Sequence, residues 1–468
     1  MDKIHQTTMT SPKHYHFVGI GGIGMGGLAL LALAKGNRVS GSDIKDSKML
    51  QELRNKGATV YIGHAGENIK DIDGLVFSTA IDRENPEITA AIKAGVPLLR
   101  RAEFLAELMK GHVVVTVAGA HGKTTTSAMA SHLLTQAGLR PTCAVGGIVH
   151  NFTTNAVMGE GRYFVAEADE SDGSFLNYFP DYSLITNIDK EHMDYYGTWE
   201  KLLAVHKDYV MRTREGGWLI CCGDDPNLRK IVEESSRQHV FYGEGRSNGL
   251  IVSDIELQAF GSSFDCFWQG DKISRLTLQV PGKHNVMNAA ACVALGLKMG
   301  IGIDIVAQSM LTFSGVKRRF QKKGCVNDIL VIDDYGHHPT EIKATLAAAN
   351  SAGRNLTVIF QPHRYTRLYS LYEEFVAVLR NIPRLIVMDI YAASEKPIEG
   401  LSAQKFVSDL KKMTLNEVIY LERDKIVPYV ISNTTAGDMI LTLGAGDVTA
   451  VSDELVEALS NQAPGVKK

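Results

Sequence analysis

Apolar residues in this chain gather in short β-branched runs. Each run is stopped by glycine and polar residues and followed by a stretch of helical spacing. Such runs between turn residues predict buried strands, and strands alternating with helices predict parallel βαβ units. The alternation appears in three successive regions. Over 15–110, strands are expected just before Gly19 and at 38–41, 58–62 and 75–78, with helices after Gly24 and at 86–93 and 102–109. Over 111–315, strands are expected from Val113 to the glycine turn at Gly119, at 163–167 and at 183–188. Period-two alternation over 251–279 then predicts an antiparallel excursion, and a helix begins near Asn285. Over 320–468, strands are expected at 328–333, 356–360, 385–389 and 438–443, with helices near 339–351, 366–380, 402–413 and 447–459. The fold class is α/β, with domains at 1–110, 111–316 and 317–468.

Composition narrows this picture modestly. The 468 residues suit about three domains of ordinary size. Apolar residues make up 45% and charged residues 22%, the balance of a globular chain. A net charge of -3 offers no electrostatic case for a nucleic-acid partner. No apolar stretch is long enough to span a bilayer, so membrane insertion is not expected. The first residues, MDKIHQTTMTSPKHYH, lack an apolar signal core and read as a polar lead-in. The six cysteines show no C-x-x-C spacing, so reduced, mostly buried thiols in a cytoplasmic protein are expected. Oligomeric state is not legible.

The chemistry lies where strands stop. Gly119-Ala120-His121-Gly122-Lys123-Thr124-Thr125 joins a strand to a helix. Glycines let the backbone approach a phosphate, helix-start N–H groups favour an anion, Lys123 adds a point charge, and the Thr124 hydroxyl suits Mg²⁺. The spacing is shorter than the common G-x-x-x-x-G-K-[ST], whose first glycine would fall at Val117. Upstream, Gly19-Ile20-Gly21-Gly22-Ile23-Gly24 with Asp43 about 20 positions on forms a pyrophosphate fingerprint. NAD carries a pyrophosphate, and so do nucleotide sugars; an NAD-dependent oxidoreductase is therefore a standing alternative.

Further polar clusters follow other strands. Glu167 ends one, and carboxylates suit Mg²⁺. His192 follows another; imidazole suits softer metals, so ligand and helix-capping roles both stay open. Asn285 and Asn288 share a helix face, able to read a base edge or to cap the helix. Arg318 and Arg319 sit in a short basic linker. In the third region Asp334, His337, His338, His363, Arg364 and Arg367 cluster at predicted strand ends, where doubly wound sheets bind ligands. Arg364 and Arg367, three apart, suit a carboxylate or phosphate.

One chain with a pyrophosphate cradle, a triphosphate cradle and a third α/β region resembles the ATP-dependent Mur ligase family. The resemblance covers essentially the whole chain. Its marks are GIGGIGM at 19–25, AGAHGKTTT at 118–126, EADESDGSF at 167–175, NIDKEHMDYYG at 187–197, PGKHNVMNAAA at 281–291, SGVKRRFQ at 314–321, DDYGHHPTE at 333–341 and FQPHRYTRL at 360–368. Ala120 stands where the family usually has Thr, and Gly26 where Ser is common.

The resemblance implies a three-domain architecture: a Rossmann-like N-terminal domain, a P-loop ATPase-like central domain and a Rossmann-like C-terminal domain that closes over ATP. It implies ATP-dependent joining of L-alanine to the lactyl carboxylate of UDP-N-acetylmuramate through an acyl phosphate. A murein-peptide recycling ligase is the alternative within the family, though HRYTR is not expected there. Gly21, Gly22, Ile23, Gly24 and Met25, with Asp43 and Ser78, would hold the UDP-sugar. Gly119 to Thr125, Asn285, Asn288, Arg319 and Asp334 would bind ATP. Thr124, Glu167 and His192 would ligate Mg²⁺. His337, Arg364 and Arg367 would receive L-alanine. Lys123, Glu167, His192, Arg319, Asp334 and His337 form the implied catalytic set; His337 and His338 are the candidates for taking the amine proton.

Overall fold

The structure is a computed structural model, and it describes residues 11–461. The polar lead-in expected at the N-terminus lies, through residue 10, outside the described residues. The chain forms two compact units. One comprises residues up to Leu250 together with Ala291–Val306; the other comprises Ile251–Ala290 and residues from Ala307 on.

The first unit opens with five parallel strands, β1 (His14–Val18), β2 (Arg38–Asp43), β3 (Thr59–Ile62), β4 (Gly74–Phe77) and β5 (Leu98–Arg100), in the order β3-β2-β1-β4-β5. They alternate with α1 (Ile23–Ala34), α2 (Lys48–Asn55), α3 (Pro86–Ala94) and α4 (Arg101–Met109). The order reverses between β1 and β4, the switch point where such sheets bind ligands. β1 succeeds as a central strand because His16, Phe17 and Val18 are fully buried. Gly26 of α1 packs so closely that a Cβ there would lie 2.6 Å from Cγ and Sδ of Met49.

A second sheet follows in the same unit: β6 (Val113–Ala118), β7 (Thr142–Val149), β8 (Thr154–Val157), β9 (Tyr163–Glu167), β10 (Tyr182–Ile185), β11 (Trp218–Cys222) and β12 (His239–Gly243). Their order is β12-β11-β10-β6-β9-β7-β8, parallel except for the β7–β8 hairpin. Helices α5 (Lys123–Gln136), α6 (Met193–Tyr196), α7 (Trp199–Arg212) and α8 (Pro226–Glu234) complete it. The strand expected over 183–188 ends at Ile185. Beyond it the side chains of Thr186 and Asn187 bond the loop after β6.

The second unit holds β13 (Leu250–Gln258), β14 (Gly261–Trp268) and β15 (Asp271–Leu278), the expected antiparallel excursion. Helix α9 (Lys283–Lys298) begins in this unit and ends in the Ala291–Val306 stretch assigned to the first, and α10 (Ile303–Thr312) begins in that stretch and ends in this unit. The last sheet contains β16 (Gln321–Val326), β17 (Ile329–Asp334), β18 (Asn355–Phe360), β19 (Arg384–Val387), β20 (Glu417–Tyr420) and β21 (Asp438–Leu443), ordered β16-β17-β21-β18-β19-β20. Only β16 is antiparallel to its neighbour. Its helices are α11 (Pro339–Asn350), α12 (Tyr365–Ser370), α13 (Tyr372–Leu379), α14 (Ala403–Met413), α15 (Arg423–Ser432) and α16 (Val448–Asn461). The single helix expected over 366–380 is therefore two helices, broken at Leu371, whose φ of -117° is not helical. All six cysteines are free thiols, and four are buried. Among the described residues no helix is long and apolar enough to cross a membrane.

Candidate active site

The first cleft lies where β1, β2 and β4 end. Gly19 adopts φ +76°, and Gly21 sits so close to Asp43 that a Cβ would fall 2.8 Å from Oδ2. The Gly21 N–H donates to Asp43 Oδ2 (2.9 Å) and the Ile44 N–H to Oδ1 (2.8 Å). Asp43 thus clamps the glycine turn. α1 begins at Ile23 behind Gly22, with no side chain capping it, so first-turn N–H groups face the cleft unblocked by a cap. The cleft encloses about 590 Å³, and Gly22, Gly24, Met25, Asp43, Ser78 and Arg101 line it. Gly21 and Ile23 build the turn but are not lining residues.

The second site is the turn between β6 and α5. Gly119 (φ +119°) and Gly122 (φ +85°) adopt left-handed backbone that favours glycine. A Cβ on Gly119 would overlap the Thr186 hydroxyl and lie 2.8 Å from the Asn187 carbonyl. Asn187 grips the loop, accepting from the His121 N–H (2.9 Å) and donating to its carbonyl (3.0 Å). His121 Nε2 meets Asp189 Oδ2 at 2.8 Å. Lys123 Nζ donates to the carbonyls of Gly119 (2.7 Å) and Ala120 (3.1 Å) and to Glu170 Oε1 (2.7 Å). The Thr124 hydroxyl donates to Glu167 Oε2 (3.0 Å), which also accepts from the Gly146 N–H (2.9 Å). Thr125 lies buried in the same first turn of α5. His192 has left-handed backbone (φ +56°) at the start of α6, and no side-chain cap bond forms. Its Nε2 lies 3.3 Å from Glu191 Oε2 and 3.7 Å from Glu170 Oε1. The structure therefore gathers Lys123, Thr124, Glu167 and His192 at one sheet edge.

Glu170 is the residue that sequence reasoning passed over. It is fully enclosed, and its Oε2 has no hydrogen-bond partner among the described residues. Burial pushes its carboxyl up to about 7 against the pull of Lys123. Burial would lower Lys123, but the carboxylates of Glu170, Asp169 and Glu167 outweigh it and keep the ammonium charged. The signal was present: EADESDGS places a second glutamate three positions after the strand-end one.

In the second unit, Asn285 lies inside the first turn of α9, which starts earlier than expected, at Lys283. Its Nδ2 donates to the Pro281 carbonyl (2.7 Å), and its Oδ1 accepts from Asn288 Nδ2 (3.2 Å). Asp334 accepts from the N–H groups of Phe320 (2.6 Å) and Gly336 (2.8 Å) and from the Thr345 hydroxyl (3.0 Å). Burial raises its carboxyl although Arg319 opposes this. Arg319 Nη1 lies 3.6 Å from Glu341 Oε1. His337 Nδ1 lies 3.0 Å from the Tyr335 carbonyl, and burial takes its ring down to about 3. His363 stacks on Tyr391, its ring lowered to about 4 by burial and then by Arg367 and Arg364.

Arg364 and Arg367 do not present one helical pair. Arg364 precedes α12 with φ +70°, and its Nε donates to Glu395 Oε1 (2.5 Å). Arg367 Nη1 lies 3.2 Å from His363 Nδ1. Nothing in the local sequence announced Glu395, since it arrives from a distant loop.

Comparison with known proteins follows the same three-part order. The profile for "Mur ligase family, catalytic domain" matches residues 14–113, that for "Mur ligase middle domain" matches 117–296, and that for "Mur ligase, glutamate ligase domain" matches 318–446. The UDP-N-acetylmuramate–L-alanine ligase of Pelotomaculum thermopropionicum is 44% identical over 461 residues, 98% of this chain and 100% of its own. That of Syntrophotalea carbinolica is 41% identical over 449 residues, 96% of this chain and 98% of its own. Among solved structures, the UDP-N-acetylmuramate-alanine ligase of Thermotoga maritima matches with a TM-score of 0.83 at 28% identity, covering 96% of this chain and 100% of that one. A murein peptide ligase of Psychrobacter arcticus shares the fold, with a TM-score of 0.72 at 24% identity over 97% of this chain and 100% of that one.

Proposed function

The chain belongs to the Mur ligase family, and from that premise we propose that it joins L-alanine to the lactyl carboxylate of UDP-N-acetylmuramate at the expense of ATP, in peptidoglycan precursor synthesis. One observation carries the choice over an oxidoreductase. The first unit holds two phosphate-type turns, the uncapped glycine turn before α1 and the Lys123 loop with Thr124 and Glu167. A hydride-transfer enzyme has no use for the second. The relatives at 41% and 44% identity over nearly the whole chain favour the L-alanine-adding activity.

The chemistry follows from what must be held. Forming an amide from a carboxylate and an amine is uphill in water, so the γ-phosphoryl group moves to the lactyl oxygen, giving an acyl phosphate and ADP. The alanine amine adds to the acyl carbon, loses a proton, and phosphate leaves with the C–O electron pair. Two anions must meet in the first step, so positioning and charge neutralisation dominate. Lys123 neutralises the β/γ-phosphates. Thr124 and Glu167 offer the hard oxygens Mg²⁺ prefers, His192 stands beside them, and the partnerless buried oxygen of Glu170 marks a place for positive charge. Mg²⁺, when bound, supplies neutralisation of the phosphate oxygens.

Gly22, Gly24, Met25, Asp43 and Ser78 hold the UDP-sugar, with Gly21 and Ile23 shaping the turn. Asn285 and Asn288 approach adenine, and Arg319 and Asp334 act toward ATP. His337, Arg364 and Arg367 take the alanine end. Three domains, 1–110, 111–316 and 317–468, divide the work, and the third closes over ATP; scattering should show compaction with an ATP analogue and UDP-N-acetylmuramate. The cytoplasm, where ATP and nucleotide sugars reside, is the compartment this chemistry requires.

The direct test is phosphate release with ATP, Mg²⁺, UDP-N-acetylmuramate and L-alanine. Release is expected only when both the sugar nucleotide and the amino acid are present. Release that ignores either substrate would overturn the proposal.

A further inference from the structure

Arg101 faces two ways. It opens α4 directly after β5, and it lines the first cleft. A Cβ placed on Gly24 would lie 3.2 Å from Arg101 Nη1, so that edge of the guanidinium stands over the first turn of α1. Its Nη2 donates to Asp169 Oδ2 at 3.1 Å. Asp169 belongs to the acidic loop after β9, and its Oδ1 accepts from the Ser171 N–H at 3.0 Å. The same acidic segment supplies Glu167 and Glu170, the partners of Thr124 and Lys123. Partial burial would raise the Asp169 carboxyl, but Lys123 and then Arg101 hold it below the usual carboxylate range. One cation thus stands between the first cleft and the segment that faces the Lys123 loop.

The cation has capacity to spare. The bond to Asp169 is the one hydrogen bond of the Arg101 side chain among the described residues, so most of its N–H donors are open to a ligand. Of the described residues that line the cleft, Arg101 is the one arginine, and no lysine joins it. Asp43 and Asp82 in the same lining repel an anion. A planar guanidinium fork matches a carboxylate through paired N–H bonds, which a lysine cannot do. A free arginine side chain is rich in rotamers, and an anchor formed in advance lowers the cost of binding.

The reaction proposed above requires one ligand to reach from the first cleft to the other phosphate turn. A diphosphate at the start of α1 leaves the sugar end to extend toward the Lys123 loop, past the start of α4. We propose that Arg101 takes the lactyl carboxylate on its unused N–H groups and holds it for attack on the γ-phosphate, with Asp169 as the positioning residue that keeps the fork in place. One carboxylate oxygen forms the new O–P bond, the bond from phosphorus to the β,γ-bridging oxygen breaks, and ADP leaves with that electron pair. No proton moves in this step. The inference rests on reading the first cleft as the UDP-sugar site.

Calorimetric titration of the full chain with UDP, UDP-N-acetylglucosamine (which lacks the lactyl group) and UDP-N-acetylmuramate tests it. Wild type should bind the lactyl ligand about tenfold or more tighter than the one without it. Arg101→Met should lose that preference and bind the other two ligands within about threefold of wild type. Asp169→Ala should weaken the preference as well, and should change it no further in the Arg101→Met chain, as expected of two residues acting as one unit. A contact that only joined the two sheets would lower the melting midpoint and leave the preference intact, which overturns the inference. If Arg101→Met weakens UDP as much as UDP-N-acetylmuramate, Arg101 serves the diphosphate; the inference fails and the cleft assignment stands. Equal wild-type affinity for the two sugar nucleotides overturns the inference without any variant, even if the variants do not fold. If wild type binds no UDP at all, the cleft assignment itself falls, and this inference with it.

Discussion

Lys123 and Glu170 are bound to each other's charge. Lys123 Nζ sits 2.7 Å from Glu170 Oε1, and both side chains are almost sealed from water. Removing one partner of such a pair strands the other, typically at a cost of about 3–5 kcal/mol. Lys123→Met should therefore lose stability of that order in urea unfolding as well as turnover. Adding Glu170→Gln should return most of the stability and none of the activity, with phosphate release still about a thousandfold or more below wild type. A Lys123→Met chain as stable as wild type would show that the pair is not coupled. Two other residues explain themselves unequally. Gly26, where the family often has Ser, leaves its Cβ space to Met49. Gly26→Ser should cost about 1–3 kcal/mol, and Met49→Ala in the same chain should relieve it. Ala120 contributes its N–H to the Asn187 carbonyl and its own carbonyl to Lys123, and nothing in the structure explains its side chain.

At the scale of elements, the strand–turn–helix of β6 and α5 depends on Gly119. Its φ of +119° is hostile to a side chain, and Thr186 occupies the space a Cβ would need. Gly119→Ala should cost about 2–4 kcal/mol and weaken ATP binding more than tenfold, measured by denaturant unfolding and nucleotide titration. Unchanged nucleotide affinity would mean the loop tolerates another path. This element was legible in the sequence because its signals are local: a β-branched run, glycines and a Lys-Thr pair. So were β1, β2, β9, β17 and β21, whose apolar runs end in glycine or carboxylate. The short edge strands β5, β8 and β20 were not, since LLR, TNAV and EVIY carry too few residues to show a period. Thr186 and Asn187 looked like the continuation of β10 because their role depends on a loop 65 to 68 residues away. The Arg364–Glu395 contact, 31 residues apart, was invisible for the same reason.

For the whole molecule, buried histidines set the acid side of stability. Burial lowers His206 to about 4 and the half-buried His337 to about 3, and burial with two arginines lowers the half-buried His363 to about 4. Unfolded histidines titrate near about 6.5. Between there and about 4 the unfolded chain binds more protons, so stability is lost as pH falls, by up to about 1.4 kcal/mol per pH unit for each ring. Glu170 has the opposite sign: its raised carboxyl is protonated when folded over the same range, offsetting about one histidine. The melting midpoint should fall from about pH 7 to about pH 5, and His206→Leu should flatten the slope. A midpoint that does not move would contradict the burial of these rings. The partition of the chain carries a last consequence, for synthesis. Each unit is assembled from two separated stretches, with Ala291–Val306 of the first unit following Ile251–Ala290 of the second. A ribosome that has released residue 290 has made a large part of the first unit and cannot yet have finished it. The first unit is completed only after part of the second has emerged, so no single cut in the chain yields both units whole.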